Sequence, residues 1–179
     1  PPTMSFWYNF YCSPEVRAKT DHEPKFLKKF RRRFRLPYPS YLDLCEMIIA
    51  DPIYFQRWKP GTKDAMGKPC MPIHLLILTS LRYLGRGWTF DDCEEATAIS
   101  EDVCHVFFHE FVLYGQKVLF PKYVVAPRTQ AEAESCMAEF ALAGFPGCIG
   151  SMDASHVCLE HVEFRLRQPH LANKLHTTA

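Results

Sequence analysis

Between Pro72 and Tyr114 the apolar residues recur every three to four positions in three successive segments, which is the spacing of one face of an α-helix. Pro72 suits a first helical position, and Gly85 and Gly87 suit the end of that helix. Short helices joined by tight turns bury their apolar faces against one another. This region therefore predicts a mainly α-helical, helix-turn-helix-like domain. Its first helix is expected to bury Ile73, Leu76, Ile77, Leu81 and Leu84.

Capping residues mark the start of the next two helices. Thr89 and Asp92 have the spacing of a capping box, and the helix that they begin is expected to run to about Ala98. Ser100 is expected to cap the third helix, because acidic residues fill the turn that follows it. The buried face predicted for this third helix is Val103, Phe107, Phe111 and Tyr114.

A further helix is predicted beyond a proline-containing connection. Thr129 and Glu132 have the spacing of a second capping box, and Gly144 suits the end of the helix. The apolar residues between them recur at helical spacing. They are Ala133, Cys136, Met137 and Phe140.

A short apolar run then ends in a carboxylate. Cys148 to Met152 predicts a buried strand with Asp153 at its exit, and residues 157–166 predict a second strand. An ionised carboxylate beside a buried strand is costly unless it is paired or binds a cation. Asp153 can therefore cap a turn or pair with Arg165 or Lys174. Alternatively, it can hold Mg²⁺, as carboxylates do in two-metal nucleases.

One segment concentrates the positive charge of the chain. Lys25 to Arg35 carries seven of the 21 basic residues and no acidic one, so the rest of the chain holds 14 basic and all 20 acidic residues. Phe26, Phe30 and Phe34 recur at i, i+4 and i+8 within it. The pattern predicts a basic amphipathic helix that ends before Pro37.

Three roles remain open for this helix. It can be a solvated face resting on the core, a nuclear-localisation patch, or an element that contacts DNA phosphates. The candidate phosphate contacts are Lys28, Lys29, Arg31, Arg32, Arg33 and Arg35.

The segments around the basic helix are less regular. Ser40 is expected to cap a short helix that ends at Asp51, because the residue before a proline avoids helical geometry. Residues 58–71, rich in glycine and proline, predict a loop. Residues 1–24 show no periodicity and are left unassigned.

Charge argues against base reading by the helix that follows Ser100. From Pro72 to Tyr114 there are two basic and seven acidic residues, and acidic residues in a first turn repel phosphates. A packing or protein-docking role is therefore favoured. His105 and His109 followed by Glu110 match neither the H-E-x2-H nor the H-x2-E-H zinc motif, so we interpret them as exposed histidines.

The eight cysteines occur at wide, irregular spacings without a C-x2-C pair. This usage favours reduced thiols in an intracellular protein over a disulfide scaffold or a zinc ribbon. Polar residues interrupt every apolar run well before the roughly 18 residues that a membrane span needs, so no membrane contact is expected. The expected localisation is nuclear.

Three stretches of the sequence carry a resemblance to a known family. FPGCIGSMDASHV (residues 145–157) resembles the block around the first catalytic aspartate of the PIF/Harbinger-type transposases, also described as plant transposon proteins or DDE superfamily endonucleases. Upstream, FRRRFRLPYPSYLDL and MPIHLLILTSLRYLGRGWTFDDCEEATAISEDVCHVFFHEF resemble the helical region of that family. The resemblance implies a helix-turn-helix-like domain followed by an RNase H-like nuclease domain that acts on DNA with Mg²⁺ or Mn²⁺. Asp153 matches the first acid of the catalytic triad and would be a metal ligand. The family also implies a Myb-like DNA-binding partner protein.

The sequence departs from the complete family pattern after Asp153. The later residues contain only two acids, Glu160 and Glu163, which are too close together to supply the second and third catalytic acids. We therefore expect the amino-terminal portion of a transposase, inactive alone, with an unassigned segment at 1–24, a helical domain at 25–125 and the start of the RNase H-like domain at 126–179. The alternatives are a non-catalytic DNA-binding module and a protein-interaction module.

Overall fold

The structure is a computed structural model that describes residues 1–64 and 66–151. Within these residues all the regular structure is helical and no β-strand forms, which confirms the mainly α-helical prediction for this part of the chain. A single antiparallel bridge joins Lys63 and Pro69 in the predicted loop. Backbone contacts divide the chain into two units, Pro1–Val125 and Ala126–Ala179.

The helices follow one another with short connections. The α-helices of the described residues are α1 (Pro14–Arg17), α2 (Pro24–Phe34), α3 (Tyr38–Ala50), α4 (Ile73–Arg86), α5 (Phe90–Thr97), α6 (Glu101–Tyr114), α7 (Phe120–Tyr123) and α8 (Gln130–Leu142). Single turns of 3-10 or π-helix lie at Pro2–Met4, Tyr8–Cys12, Gln56–Trp58 and Gly115–Leu119.

The N-terminal segment, which the sequence leaves unassigned, contributes to the hydrophobic core of the first unit. Trp7, Tyr11 and Cys12 are all buried. The Tyr11 ring lies edge-on to the rings of Phe30 and Phe34, with centroid distances of 5.4 and 5.3 Å. Such aromatic pairs stabilise by about 0.5–1.5 kcal/mol beyond the area that they bury. The N-terminal segment therefore packs against the apolar side of α2.

The predicted basic helix is confirmed as α2, but the predicted start of the next helix is wrong. α3 begins at Tyr38, directly after Pro37, rather than after Ser40. Proline is compatible with the first turn because it lacks only an N–H that the helix does not use there, and Pro39 occupies that turn. Tyr38 is buried and its hydroxyl donates a hydrogen bond to the Tyr11 carbonyl at 3.0 Å. Tertiary contact thus extends α3 toward its N-terminus.

α4 is buried on more sides than its predicted stripe. Ile73, Leu76 and Ile77 are buried as expected, but Leu75 and Leu78 are also fully buried. The prediction fails at Leu84, which is 59% exposed. The additional burial of Leu75 and Leu78 arises because α2, α3 and α6 all pack against α4.

The predicted capping box at the start of α5 is confirmed. The Thr89 hydroxyl accepts a hydrogen bond from the Asp92 N–H at 3.1 Å, and the Asp92 carboxylate accepts one from the Thr89 N–H at 2.8 Å. Three residues join α4 to α5 and three join α5 to α6, where Ala98 adopts a left-handed conformation with φ 56°. On α6, the predicted Phe107, Phe111 and Tyr114 are buried, whereas Val103 is half-buried.

In the second unit, the predicted helix is confirmed and the predicted strand is not. α8 begins with the expected box between Thr129 and Glu132. Its predicted apolar residues are all half-buried. Cys148–Ser151 forms no strand, and Ile149 is 54% exposed. A strand needs a hydrogen-bonding neighbour, and the described residues supply none. Met152, Asp153 and residues 157–166 lie outside the described part of the chain.

Candidate nucleic-acid interface

The six predicted phosphate contacts lie on α2 or at its C-terminal cap, and the structure separates them into two groups. Successive residues of an α-helix are about 100° apart, so positions three, four and seven residues apart share a side. The three phenylalanines of α2 turn toward the core. The first group comprises Lys28, Arg31, Arg32 and Arg35, which are all exposed. The second group comprises Lys29, which is also exposed, and Arg33, which is half-buried.

The first group lines an open surface groove of about 720 Å³ between α2 and the start of α3, which we call the basic groove. All the charged residues that line it are basic, and Tyr38 forms part of its wall. Its lining residues are Leu27, Lys28, Arg31, Arg32, Arg35, Pro37, Tyr38 and Pro39. Four positive charges along one side of a helix suit a run of phosphates.

The second group contacts the N-terminal segment instead. The Lys29 Nζ atom lies 5.1 Å from the ring centroid of Phe10 and 5.8 Å from that of Phe6. The Arg33 guanidinium lies 6.0 Å from the Tyr11 ring centroid, and its Nη1 donates to the Tyr11 hydroxyl at 3.5 Å. These cation–π contacts hold the N-terminal segment against α2.

A close approach between α2 and α4 fixes the end of the basic groove. Arg35 caps α2 in the left-handed conformation, with φ 61°. An added Cβ at Gly85 would lie 2.9 Å from the Arg35 Cγ atom. Glycine inside a helix costs about 1 kcal/mol relative to alanine. At this position it leaves room for the Arg35 side chain.

Arg82 of α4 braces the same end of α2, and sequence reasoning missed it. Its Nη1 donates a hydrogen bond to the Arg33 carbonyl at 2.9 Å, near the negative end of the α2 dipole. Its guanidinium stacks 4.0 Å from the centroid of Trp88, whose ring stacks on that of Trp7 at 5.4 Å. Burial lowers the pKa of Arg82, and the positive charge of Arg86 lowers it further. The only sequence signal is an arginine within an apolar helix.

The helices α5 and α6 present the opposite charge. Their first turns are exposed and acidic, and the Glu94 carboxylate accepts a hydrogen bond from the Glu101 N–H at 2.7 Å. The exposed acidic residues are Asp91, Asp92, Glu94, Glu95, Glu101 and Asp102. The first unit therefore has a basic surface on α2 and an acidic surface on α5 and α6.

Glu110 forms hydrogen bonds to residues of another segment. Its carboxylate accepts hydrogen bonds from the Phe55 N–H and from the Trp58 Nε1 at 3.1 Å. His105 and His109 are exposed, as predicted. Among the described residues no group of three or more His, Cys, Asp or Glu side chains could hold a metal ion. Asp153, the expected Mg²⁺ ligand, lies outside the described part of the chain.

The seven cysteines of the described residues are free thiols. Burial raises the pKa of Cys12 to about 12, that of Cys93 to about 12 and that of Cys104 to about 11. Since the thiolate is the nucleophilic form, these three thiols are unreactive near neutral pH.

Comparisons with known proteins leave the functional assignment to the site itself. Neither a family model, a curated protein nor a solved structure matches this chain. None of the helices in residues 1–64 and 66–151 combines the length and the apolar character that crossing a bilayer requires.

Proposed function

We propose that the first unit is a DNA-binding domain that holds the phosphate backbone in the basic groove. The observation that carries this proposal is the convergence of Lys28, Arg31, Arg32 and Arg35 on one open groove whose charged residues are all basic. Arginine and lysine contacts to phosphate supply most of the affinity of non-specific DNA binding. The packing of Phe30 and Phe34 in the core gives the four cations a rigid base.

The acidic surface indicates how DNA approaches. A duplex that followed the first turn of α6 would meet Glu101 and Asp102, whose charges repel phosphate. The basic groove on α2 attracts it instead. Under this proposal α4, α5 and α6 form a helix-turn-helix-like scaffold that does not itself read bases.

We further propose that the chain is the amino-terminal portion of a PIF/Harbinger-type DDE transposase, on the residue resemblance around Asp153 and in the helical region. In that assignment Asp153 is the first metal-binding acid of an RNase H-like domain. The metal is Mg²⁺ or Mn²⁺, and the location is the nucleus. The helical architecture of residues 71–111 agrees with the helical region that the resemblance implies.

A salt titration of DNA binding tests the basic groove. Four phosphate contacts predict a slope of log K against log salt of about −3.6 on duplex DNA. Changing Lys28, Arg31 and Arg32 to glutamine should reduce the slope to about −0.9 and weaken binding at low salt. The assay is a fluorescence-anisotropy titration at several salt concentrations.

The matched control changes three exposed lysines outside the groove, Lys63, Lys68 and Lys117, to glutamine. This variant has the same net charge as the groove variant, and its slope should remain close to that of the unmodified protein. Equal weakening in both variants would mean that overall charge, rather than the groove, binds DNA. An unmodified chain without salt-dependent affinity would refute the proposal.

A protein-docking function is the second candidate, and the acidic surface of α5 and α6 favours it. Residues 72–114 contain seven acidic residues and only two basic ones. This excess of negative charge suits a basic partner such as the Myb-like protein that the resemblance implies. Binding of a basic DNA-binding protein that is lost when Glu94, Glu95 and Asp102 become neutral amides would support this candidate.

A further inference from the structure

α6 presents two histidines one turn apart on its exposed side. His105 and His109 are four residues apart and therefore neighbours on the helix surface. Their Nε2 atoms are 3.2 Å apart, and their rings are inclined by 71° to each other. The ring of Phe90 lies edge-on to that of His105 at a centroid distance of 5.2 Å. The Nε2 atoms of the two imidazole rings are thus direct neighbours.

The separation of the two nitrogens matches the geometry of a chelate. Two Zn–N bonds of about 2.05 Å at a tetrahedral angle place their nitrogens about 3.3 Å apart. Imidazole suits Zn²⁺, Cu²⁺ and Ni²⁺, whereas Mg²⁺ prefers oxygen ligands. We propose that His105 and His109 form a two-histidine chelating site for a divalent transition-metal ion. The proposal involves neither Asp153 nor the residues of the basic groove.

The surroundings of the pair favour a cation. The region from Pro72 to Tyr114 has five more acidic than basic residues, and Asp102 precedes His105 by about one turn. Within the described residues no third ligand joins the two imidazoles. A tetrahedral ion held there keeps two positions for water, which is the arrangement of an open and exchangeable site.

Isothermal titration calorimetry with Zn²⁺ tests the proposal. The unmodified protein should bind one ion at this site, and His105→Ala or His109→Ala should each reduce its affinity at least tenfold. The tenfold limit follows because loss of an outer-shell partner alone costs about 10- to 100-fold. Val106→Ala is the matched control, since Val106 is 44% exposed on the same helix and is not a ligand. It should bind like the unmodified protein.

Two further measurements separate the histidine site from the thiols and from damage to the fold. With Co²⁺, ligation by imidazole gives visible ligand-field bands without the thiolate charge-transfer band that a cysteine site would add. Zn²⁺ should raise the melting temperature of the unmodified protein and of the Val106→Ala variant but not of the histidine variants. Unchanged affinity in both histidine variants, a thiolate band at the binding step, or no binding at all would overturn the proposal.

Discussion

Glu110 is expected to be a stabilising link between two segments that are distant in the sequence. Its hydrogen-bond partners Phe55 and Trp58 lie 55 and 52 residues away along the chain. Phe55 adopts the left-handed conformation, with φ 59°, which is unfavourable for a residue with a side chain. The hydrogen bond from its N–H to Glu110 helps to hold that conformation.

The size of the effect follows from the two bonds. A hydrogen bond to a charged group contributes about 1.5–3 kcal/mol, so loss of both half-buried bonds in Glu110→Ala should cost about 3 kcal/mol. For a unit of this size we expect the melting temperature to fall by about 10 °C. Glu110→Gln keeps one acceptor oxygen but turns an amide N–H toward the second donor, so it should cost about half as much.

Thermal and denaturant unfolding, followed by circular dichroism, measure these differences. Glu95→Ala serves as the control, because Glu95 is an exposed acid on the neighbouring helix, and its loss should change the unfolding free energy by less than about 0.5 kcal/mol. If Glu110→Ala were no more destabilising than Glu95→Ala, the proposed link would be refuted.

Two other predictions concern pH and catalysis. Hydrogen bonds from the Thr89 N–H and hydroxyl lower the pKa of Asp92 below its ordinary value of 3.8. The stabilisation from Asp92 is therefore complete above about pH 4 and is lost as the pH falls through the lowered pKa. Melting curves between pH 2 and pH 6 should show a smaller acid loss for Asp92→Asn than for the unmodified protein, and parallel curves would contradict this. In a plasmid-nicking assay with Mg²⁺ or Mn²⁺, the 179-residue chain should not cleave DNA, because Glu160 and Glu163 cannot supply both missing acids. Cleavage that Asp153→Ala abolishes would disprove this expectation.

Local signals in the sequence predicted helix boundaries well. The box between Thr89 and Asp92 needs only two side chains three residues apart, so its energetics are present in the local chain. The start of α3 was wrong because it depends on a distant contact. Tyr38 is buried in the core and bonds to the Tyr11 carbonyl, 27 residues away, and the local sequence pattern gives no sign of that contact.

Burial was predicted less well than helicity. Periodicity identifies one apolar face, but it gives no information on how many neighbours surround a helix. Leu75 and Leu78 are buried because several helices pack against α4, whereas Leu84 on the same helix is 59% exposed. The strand predicted from Cys148 to Met152 does not form over its described residues, 148–151, for a related reason, since strand formation requires a partner segment.

The candidate site shows the same division. Charge and spacing selected six candidate phosphate contacts in the basic segment, but they did not predict how these cations divide between the groove and the aromatic contacts. Lys29 and Arg33 are directed to the N-terminal aromatics, which have no helical periodicity in the sequence. Whether the groove binds DNA stays a prediction.

The sequence by itself determined that the described residues are mainly helical, that α2 is basic on one side and apolar on the other, and that α5 and α6 are acidic. These properties depend on residue identity at spacings of three or four, which a helix of any environment preserves. Only the tertiary structure decided which cations share a groove, that Arg82 braces α2, and that Glu110 bonds Trp58 while His105 and His109 face each other. Some of these contacts join segments that are far apart in the chain, and others depend on the side-chain rotamers of a single helix. Packing fixes both, and packing is a property of the whole fold.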